Sequence, residues 1–429
     1  MRCALGSPLP LIRWVFYAFL VAMWSSVRPG RAQDLTPATQ RPEREVAPEQ
    51  PGMIDEPEII HRAAVIFDRR VNFAEATEGP YTLYGKMIPG AGISGGLGYR
   101  RWYAHDRAFV DASAQGSWRA YTTAQARFEL PRLARSRLLV GAQARWQDFK
   151  QVDYFGDGAN APWSNRSQYR IQSRIAGGYV TIRPRRTLAI DSELGWLQPS
   201  ILEPGGVFQR GFPNVREVFA TDPVFALREQ PSFVHREVSI TSDTRDFPGH
   251  PTAGSVYRAA LASYIDSGAG VFNFKRYEAE AARFVMLPQT GVVFAVHGWL
   301  VASDPAEGQA VPFYFQPSLG GANTLRGFAD YRFHDRNLLL LDAEARIPMM
   351  THVDAAAFVD FGNVSPHLGD VDLRQHSYGA GLRLHSRRQT FARVDVATGA
   401  EGWRVIVRVA DPLDLSRLSR QTITAPFVP

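Results

Sequence analysis

Cysteine is all but missing from this chain: the one residue is Cys3, at the extreme amino terminus. That excludes thiolate zinc sites and cysteine nucleophiles, and it suits an oxidising compartment in which a stray thiol is a liability. Long apolar runs are scarce too. After the first two dozen residues no stretch reaches the roughly 20 apolar residues a membrane helix needs. The net charge of +6 is carried mostly by arginine interspersed with acids. No block of like charge forms the basic arm expected of a nucleic-acid binder. The ten histidines are scattered along the chain and no local spacing marks a metal site, so neither a metal nor another cofactor is expected.

What is present begins with a secretory signal. Arg2 supplies the positive start, Leu11 to Trp24 the apolar stretch, and Gly30-Arg31-Ala32 small residues for cleavage, so residues 1–32 are expected to be removed. Residues 33–60, rich in Pro, Glu, Gln and Arg, read as a disordered periplasmic linker. They are fewer than the roughly 50 residues a folded domain needs.

From there the sequence alternates. In Arg137 to Trp146, Leu138, Val140, Ala142, Ala144 and Trp146 share one face, while Arg137, Gln143 and Arg145 share the other. Val353, Ala355, Ala357, Val359 and Phe361 likewise oppose Asp354, Asp360 and Gly362, and Trp403, Val405, Val407 and Val409 oppose Arg404 and Arg408. Each segment has about the 9 to 11 residues that cross a bilayer as a tilted strand. A soluble sandwich would alternate in the same way, but connection lengths separate the two. Tight turns such as Pro348 to Thr351 and Ser386 to Gln389 alternate with the long stretches Gln151 to Ser167, Gln198 to Ser232 and Ser303 to Arg336. Short periplasmic turns and long external loops are the asymmetry of an outer-membrane barrel. The expected fold is therefore all-β: a transmembrane antiparallel β-barrel over residues 61–411, with sixteen strands and a tail at 412–429. Its first strands are placed at Arg62 to Phe73, Tyr81 to Ile88, Ala91 to Trp102 and, as a single strand, Ala108 to Leu130.

Ser318 to Phe328, which holds Gly320, Gly321, Leu325, Arg326, Gly327 and Phe328, is followed by one strand, a tight turn and Phe358-Val359-Asp360-Phe361-Gly362. This pairing resembles the surface-antigen barrel of the BamA/TamA superfamily, whose loop motif falls on Leu325 to Phe328 and whose strand motif, aromatic-x-Asp-x-Gly, falls on Phe358 to Gly362. Tyr154 to Gly158 resembles an external-loop signature of the group, and Asp243 to Asp246 with Pro251 to Gly254 a common turn. The resemblance implies a protein that assists insertion or translocation of other proteins at the outer membrane, in contact with outer-membrane lipid, client proteins and a periplasmic partner. It also implies periplasmic polypeptide-transport-associated domains before the barrel, which residues 33–60 cannot hold.

A long external loop with a glycine pair, an arginine and an aromatic is expected to fold back into the lumen. Asp360, Asp342 and Glu344 lie on polar strand faces, so Arg326 is expected to pair with Asp360, with Glu344 as a second acceptor. Gly327 would give close packing or a positive φ, and Phe328 would cover the pair. The competing reading is a pore in which the loop forms a constriction for small solutes. An enzyme is not expected: His235 and Asp243 lie eight residues apart along one strand, about 25 Å, and His250 sits in a tight turn where solvation would explain it.

Overall fold

The computed structural model describes residues 54–409 apart from 67–77, 85–86, 89, 208–210, 227–229 and 387. The expected signal, most of the linker and the tail lie outside the described residues. None of the described helices is long and apolar enough to cross a membrane.

Among the described residues sixteen strands form one antiparallel sheet, each bonded to the next in chain order. They are β1 (Gly79–Tyr84), β2 (Ser94–Tyr103), β3 (Ala108–Ser117), β4 (Thr122–Leu133), β5 (Leu138–Tyr154), β6 (Ser167–Arg185), β7 (Leu188–Leu202) and β8 (Phe233–Asp243). The order continues through β9 (Gly254–Asp266), β10 (Phe274–Met286), β11 (Val293–Pro305), β14 (Asn337–Met350), β15 (Val353–Ser365), β16 (Gln375–His385), β17 (Thr390–Gly399) and β18 (Gly402–Arg408). Between β11 and β14 lies a second sheet of two-residue strands, β12 (Ser318–Leu319) and β13 (Phe333–His334).

Alternation sorts the side chains as a barrel in lipid requires. Trp403, Val405 and Val407 are 75%, 70% and 69% exposed, whereas Asp360, Glu344 and Asp395 are 0%, 2% and 0% exposed. The apolar faces point outward and the ion pairs inward. Every backbone polar group at membrane depth must be satisfied by a neighbouring strand, which is why the chain is committed to one continuous ladder. The sheet curls round the long loop. Asp330 in that loop lies 3.8 Å from Arg408 of β18, while Tyr331 packs in the same apolar cluster as Tyr121, which precedes β4.

The expected count of sixteen holds, but two of the early strands are drawn differently. Residues 58–66 are helical, where Arg62 to Phe73 was expected to open the barrel. Glu58 and Arg62 pair one helical turn apart, and the amides of Ile60 and His61 bond to the Pro57 carbonyl. The segment Ala108 to Leu130 is two strands, β3 and β4, joined at Trp118 to Tyr121. The register pairs Ser113 with Gln125 and Asp111 with Arg127, odd with odd. Directly opposed residues share a face, so the alternation runs through this turn without a break of phase.

Candidate functional site: a loop anchored in the lumen

Residues 306–336 leave β11 and return to β14 as a plug. The β12–β13 pair, with Ser318 opposite His334 and Leu319 opposite Phe333, closes the neck of its tip. At that neck Gly320 and Gly321 have φ of 111° and 96°. A Cβ on Gly320 would lie 2.2 Å from the Ala329 carbonyl oxygen. The turn therefore needs glycine for its backbone and for its space.

The tip delivers Arg326 to the wall of β14 and β15. Its NH2 lies 2.5 Å from Asp360 Oδ1, its Nε is 3.1 Å from both Asp360 oxygens, and its backbone N–H donates to Asp360 Oδ2 at 3.0 Å. NH1 donates to Glu344 Oε2 at 2.8 Å. Burial disfavours a charged guanidinium here, but Asp360 and Glu344 outweigh it and hold the Arg326 pKa above its usual value. Forked pairing of this kind fixes orientation as well as energy.

Both carboxylates are held from behind. The Ser377 hydroxyl donates to Asp360 Oδ2 at 2.8 Å, and Arg383 NH2 donates to Glu344 Oε2 at 2.9 Å. Arg383 also pairs with Asp395, which accepts from Arg393 at 3.2 Å. Arg393 then reaches back into the loop, donating to the Ala322 carbonyl at 2.6 Å and to Asn323 Oδ1 at 2.8 Å. One arginine runs from loop to wall and another from wall to loop, so three cations and three carboxylates form a closed circuit. Arg383, Arg393, Asp395 and Ser377 were not singled out from sequence, although their inward phase in β16 and β17 was there to be read.

Two sequence expectations, for Phe328 and His250, need correction. Phe328 does not cover the ion pair; the Phe358 ring does, with the Arg326 guanidinium carbon 3.4 Å from its centroid. Phe328 instead packs on Phe333 at 5.1 Å, within a cluster that includes Leu319, Leu325, Leu338 and Leu340. Asp342 serves His297, whose Nδ1 is 2.7 Å from Asp342 Oδ2. His250 is 4% exposed and not solvated. Gly327 supplies close packing: a Cβ there would lie 2.7 Å from the Thr398 backbone of β17. Gly362 stands opposite Leu340 in the β14–β15 register.

The loop also reaches the far wall. Phe313 meets Tyr169 of β6 at 5.1 Å, and Phe315 meets Phe233 of β8 at 4.9 Å and Phe274 of β10 at 5.5 Å. Tyr154 to Gly158 grips the same loop: Gly158 N–H donates to the His334 carbonyl at 2.7 Å, and Gln316 donates to Asp157 at 3.2 Å.

Residues 108–398 match the Omp85 superfamily domain. The chain belongs to that superfamily. Among solved structures it resembles BamA of Haemophilus ducreyi lacking POTRA domains 1–3, with 16% identity and a TM-score of 0.55 over 78% of this chain and 69% of that one. CdiB from Escherichia coli (14% identity, TM-score 0.49) and CdiB from Acinetobacter baumannii (12%, 0.48) each align with 77% of this chain. The aligned part spans 62% and 59% of those two proteins. No curated protein matches the sequence. The chain is thus an outer-membrane β-barrel of a Gram-negative bacterium.

Proposed function

We propose that this barrel assists the insertion or transport of client proteins at the outer membrane, the lumen loop being held in place by the Arg326–Asp360–Glu344 anchor while the edge between β1 and β18 admits a client. Superfamily membership supports the general class, since Omp85 proteins act on client proteins in that membrane. One observation carries the finer reading: among the described residues the sixteen-strand order begins and ends on its two shortest strands, of 6 and 7 residues, whereas β5 and β6 have 17 and 19. Strands this short can share few ladder bonds, which makes a seam between them the least costly place to part the sheet, because each backbone group exposed to lipid costs several kcal/mol.

A plain pore is the competing reading. The loop's contacts with both walls favour a closed lumen over a steadily conducting one. The test is reconstitution of the full chain in liposomes, measuring folding of a client barrel and single-channel conductance in the same vesicles. Faster client folding, abolished by cysteine cross-links between β1 and β18, is expected. Steady, ungated conductance with no effect on client folding would assign the protein to the pores.

A further inference from the structure

The periplasmic end of the barrel holds a group of side chains that the lumen anchor does not use. His250 lies in the β8–β9 turn, Asp354 is the second residue of β15, and His385 is the last of β16. They meet because the turns meet: the Thr390 amide donates to the Gly249 carbonyl at 3.1 Å, so the β8–β9 turn rests on the start of β17. The ligand atoms of the three residues lie within 4.8 Å of one another. His250 Nε2 is 3.5 Å from Asp354 Oδ2, and His385 Nε2 is 3.2 Å from Asp354 Oδ1.

The outer nitrogens are already held. His385 Nδ1 is 3.0 Å from the Ser386 carbonyl and His250 Nδ1 is 2.9 Å from the Thr390 hydroxyl. A carbonyl can only accept, so the His385 proton sits on Nδ1, and in the neutral ring Nε2 carries a lone pair. That lone pair faces a carboxylate. His385 Nε2 is out of contact with water and faces Asp354 Oδ1. Two acceptors 3.2 Å apart repel unless a positive charge stands between them. One proton on His385 Nε2 would settle that contact alone as an ion pair with Asp354, but a proton on each imidazole would not serve, because the rings stack 4.0 Å apart and Arg346 NH1 already lies 3.5 Å from His250 Nδ1. A single ion on the Nε2 side, away from Arg346, serves both nitrogens and the carboxylate together.

Size and ligand type agree with such an ion. Metal–nitrogen and metal–oxygen bonds near 2.0 to 2.2 Å put neighbouring ligands of a tetrahedron about 3.3 Å apart, close to both separations given above. The rings are parallel to within 10°, so their Nε2 ends need to tilt together on capture. Two imidazoles and one carboxylate, each imidazole oriented through its other nitrogen, select a borderline divalent ion over calcium or magnesium, which prefer oxygen alone.

We propose that His250, Asp354 and His385 bind one divalent transition-metal ion of the zinc class, pinning the β8–β9 turn to β15 and β16 at the periplasmic rim. A second grouping at the same end, Glu56, His61 and His352, is the competitor, although the His61 side chain is 58% exposed.

The test uses the full chain, folded in detergent, stripped with chelator and titrated with cobalt chloride by visible absorption and with zinc chloride by calorimetry. One ion per chain is expected, with uptake lost in His385→Ala and Asp354→Ala and weakened about 10- to 100-fold in Thr390→Val. Uptake should be unchanged in His61→Ala and His352→Ala, and magnesium should not compete. Absence of uptake by the unmutated chain overturns the proposal. So does uptake that survives His385→Ala, or that disappears only with His61 or His352. Should His385→Ala fail to fold, the unmutated chain is treated with diethyl pyrocarbonate instead. Zinc should then protect His250 and His385, and undiminished modification of the two would overturn the site.

Discussion

The wall built by β14 to β17 and the edge formed by β1 and β18 are made from the same alternating pattern, yet they are built to opposite ends. The wall buries Arg326, Arg383 and Arg393 against Asp360, Glu344 and Asp395 and ties a loop to itself through side chains that are 0% to 2% exposed. Among the described residues the edge strands are short, and β18 carries outward-facing Trp403, Val405 and Val407. A barrel that only had to be stable could have used long strands throughout and an apolar plug, since replacing buried ion networks by well-packed hydrophobic residues is often neutral or stabilising. The ion-paired docking is concentrated on one side, and in the function proposed above the other side is the place that yields.

That contrast can be broken most directly at the guanidinium. Arg326→Ala strands the buried Asp360 carboxylate, Glu344 keeping Arg383, and should cost about 3 to 5 kcal/mol in denaturant unfolding of the folded barrel. Arg326→Lys should recover only part of it, because an ammonium cannot reproduce the forked contact. Next comes Gly327→Ala. Its Cβ would meet the Thr398 backbone at 2.7 Å, so the loop tip must withdraw from β17. A loss of about 1 to 3 kcal/mol is expected in the same unfolding measurement. Phe358→Leu removes the ring under Arg326 while keeping apolar bulk, and about 1 to 2 kcal/mol should go with it.

The smallest effect is in pH. Burial pushes His334, in the loop, down from 6.5 to about 3. The stability this neutral histidine contributes is complete above pH 6.5 and is lost as pH falls through 3. Its neighbour Asp335 opposes part of the change. Burial, with the charge of Asp157 assisting, lifts it from 3.8 to about 6, so its contribution is present below 3.8 and lost as pH rises through 6. Loop docking, followed by protease resistance in folded barrels, should weaken modestly in acid, and His334→Phe should flatten that slope.

How much could be read beforehand differed between local and distant features. Alternation placed the strands from β5 onward because each membrane crossing must repeat it, and it put Asp360 and Glu344 on the lumen face. It could not place the β3–β4 turn, since the register there keeps odd residues opposite odd ones. Nor could it identify residues 58–66 as helical, where a run of mixed residues carries no decisive period. Motif spacing named Arg326 and its two carboxylates. The returning arm from Arg393 to Ala322 and Asn323 was hidden, because it joins positions some 70 residues apart through side chains that only the folded sheet and its loop bring together. The convergence of His250, Asp354 and His385 was hidden for the same reason: no local spacing among histidines marks it, and the turn that holds His250 reads as solvated until its neighbours are known.

Docking of the loop against the wall can be followed by cysteine labelling, because Cys3 is the chain's single native thiol. Ala329→Cys, at a position 3% exposed, and Val207→Cys, at one 52% exposed, are treated with a membrane-impermeant maleimide on intact cells. The expected result is rapid modification at position 207, protection at 329, and loss of that protection when Arg326→Ala is added. Equal and rapid modification at both positions in the otherwise unmutated barrel would contradict a loop held inside it.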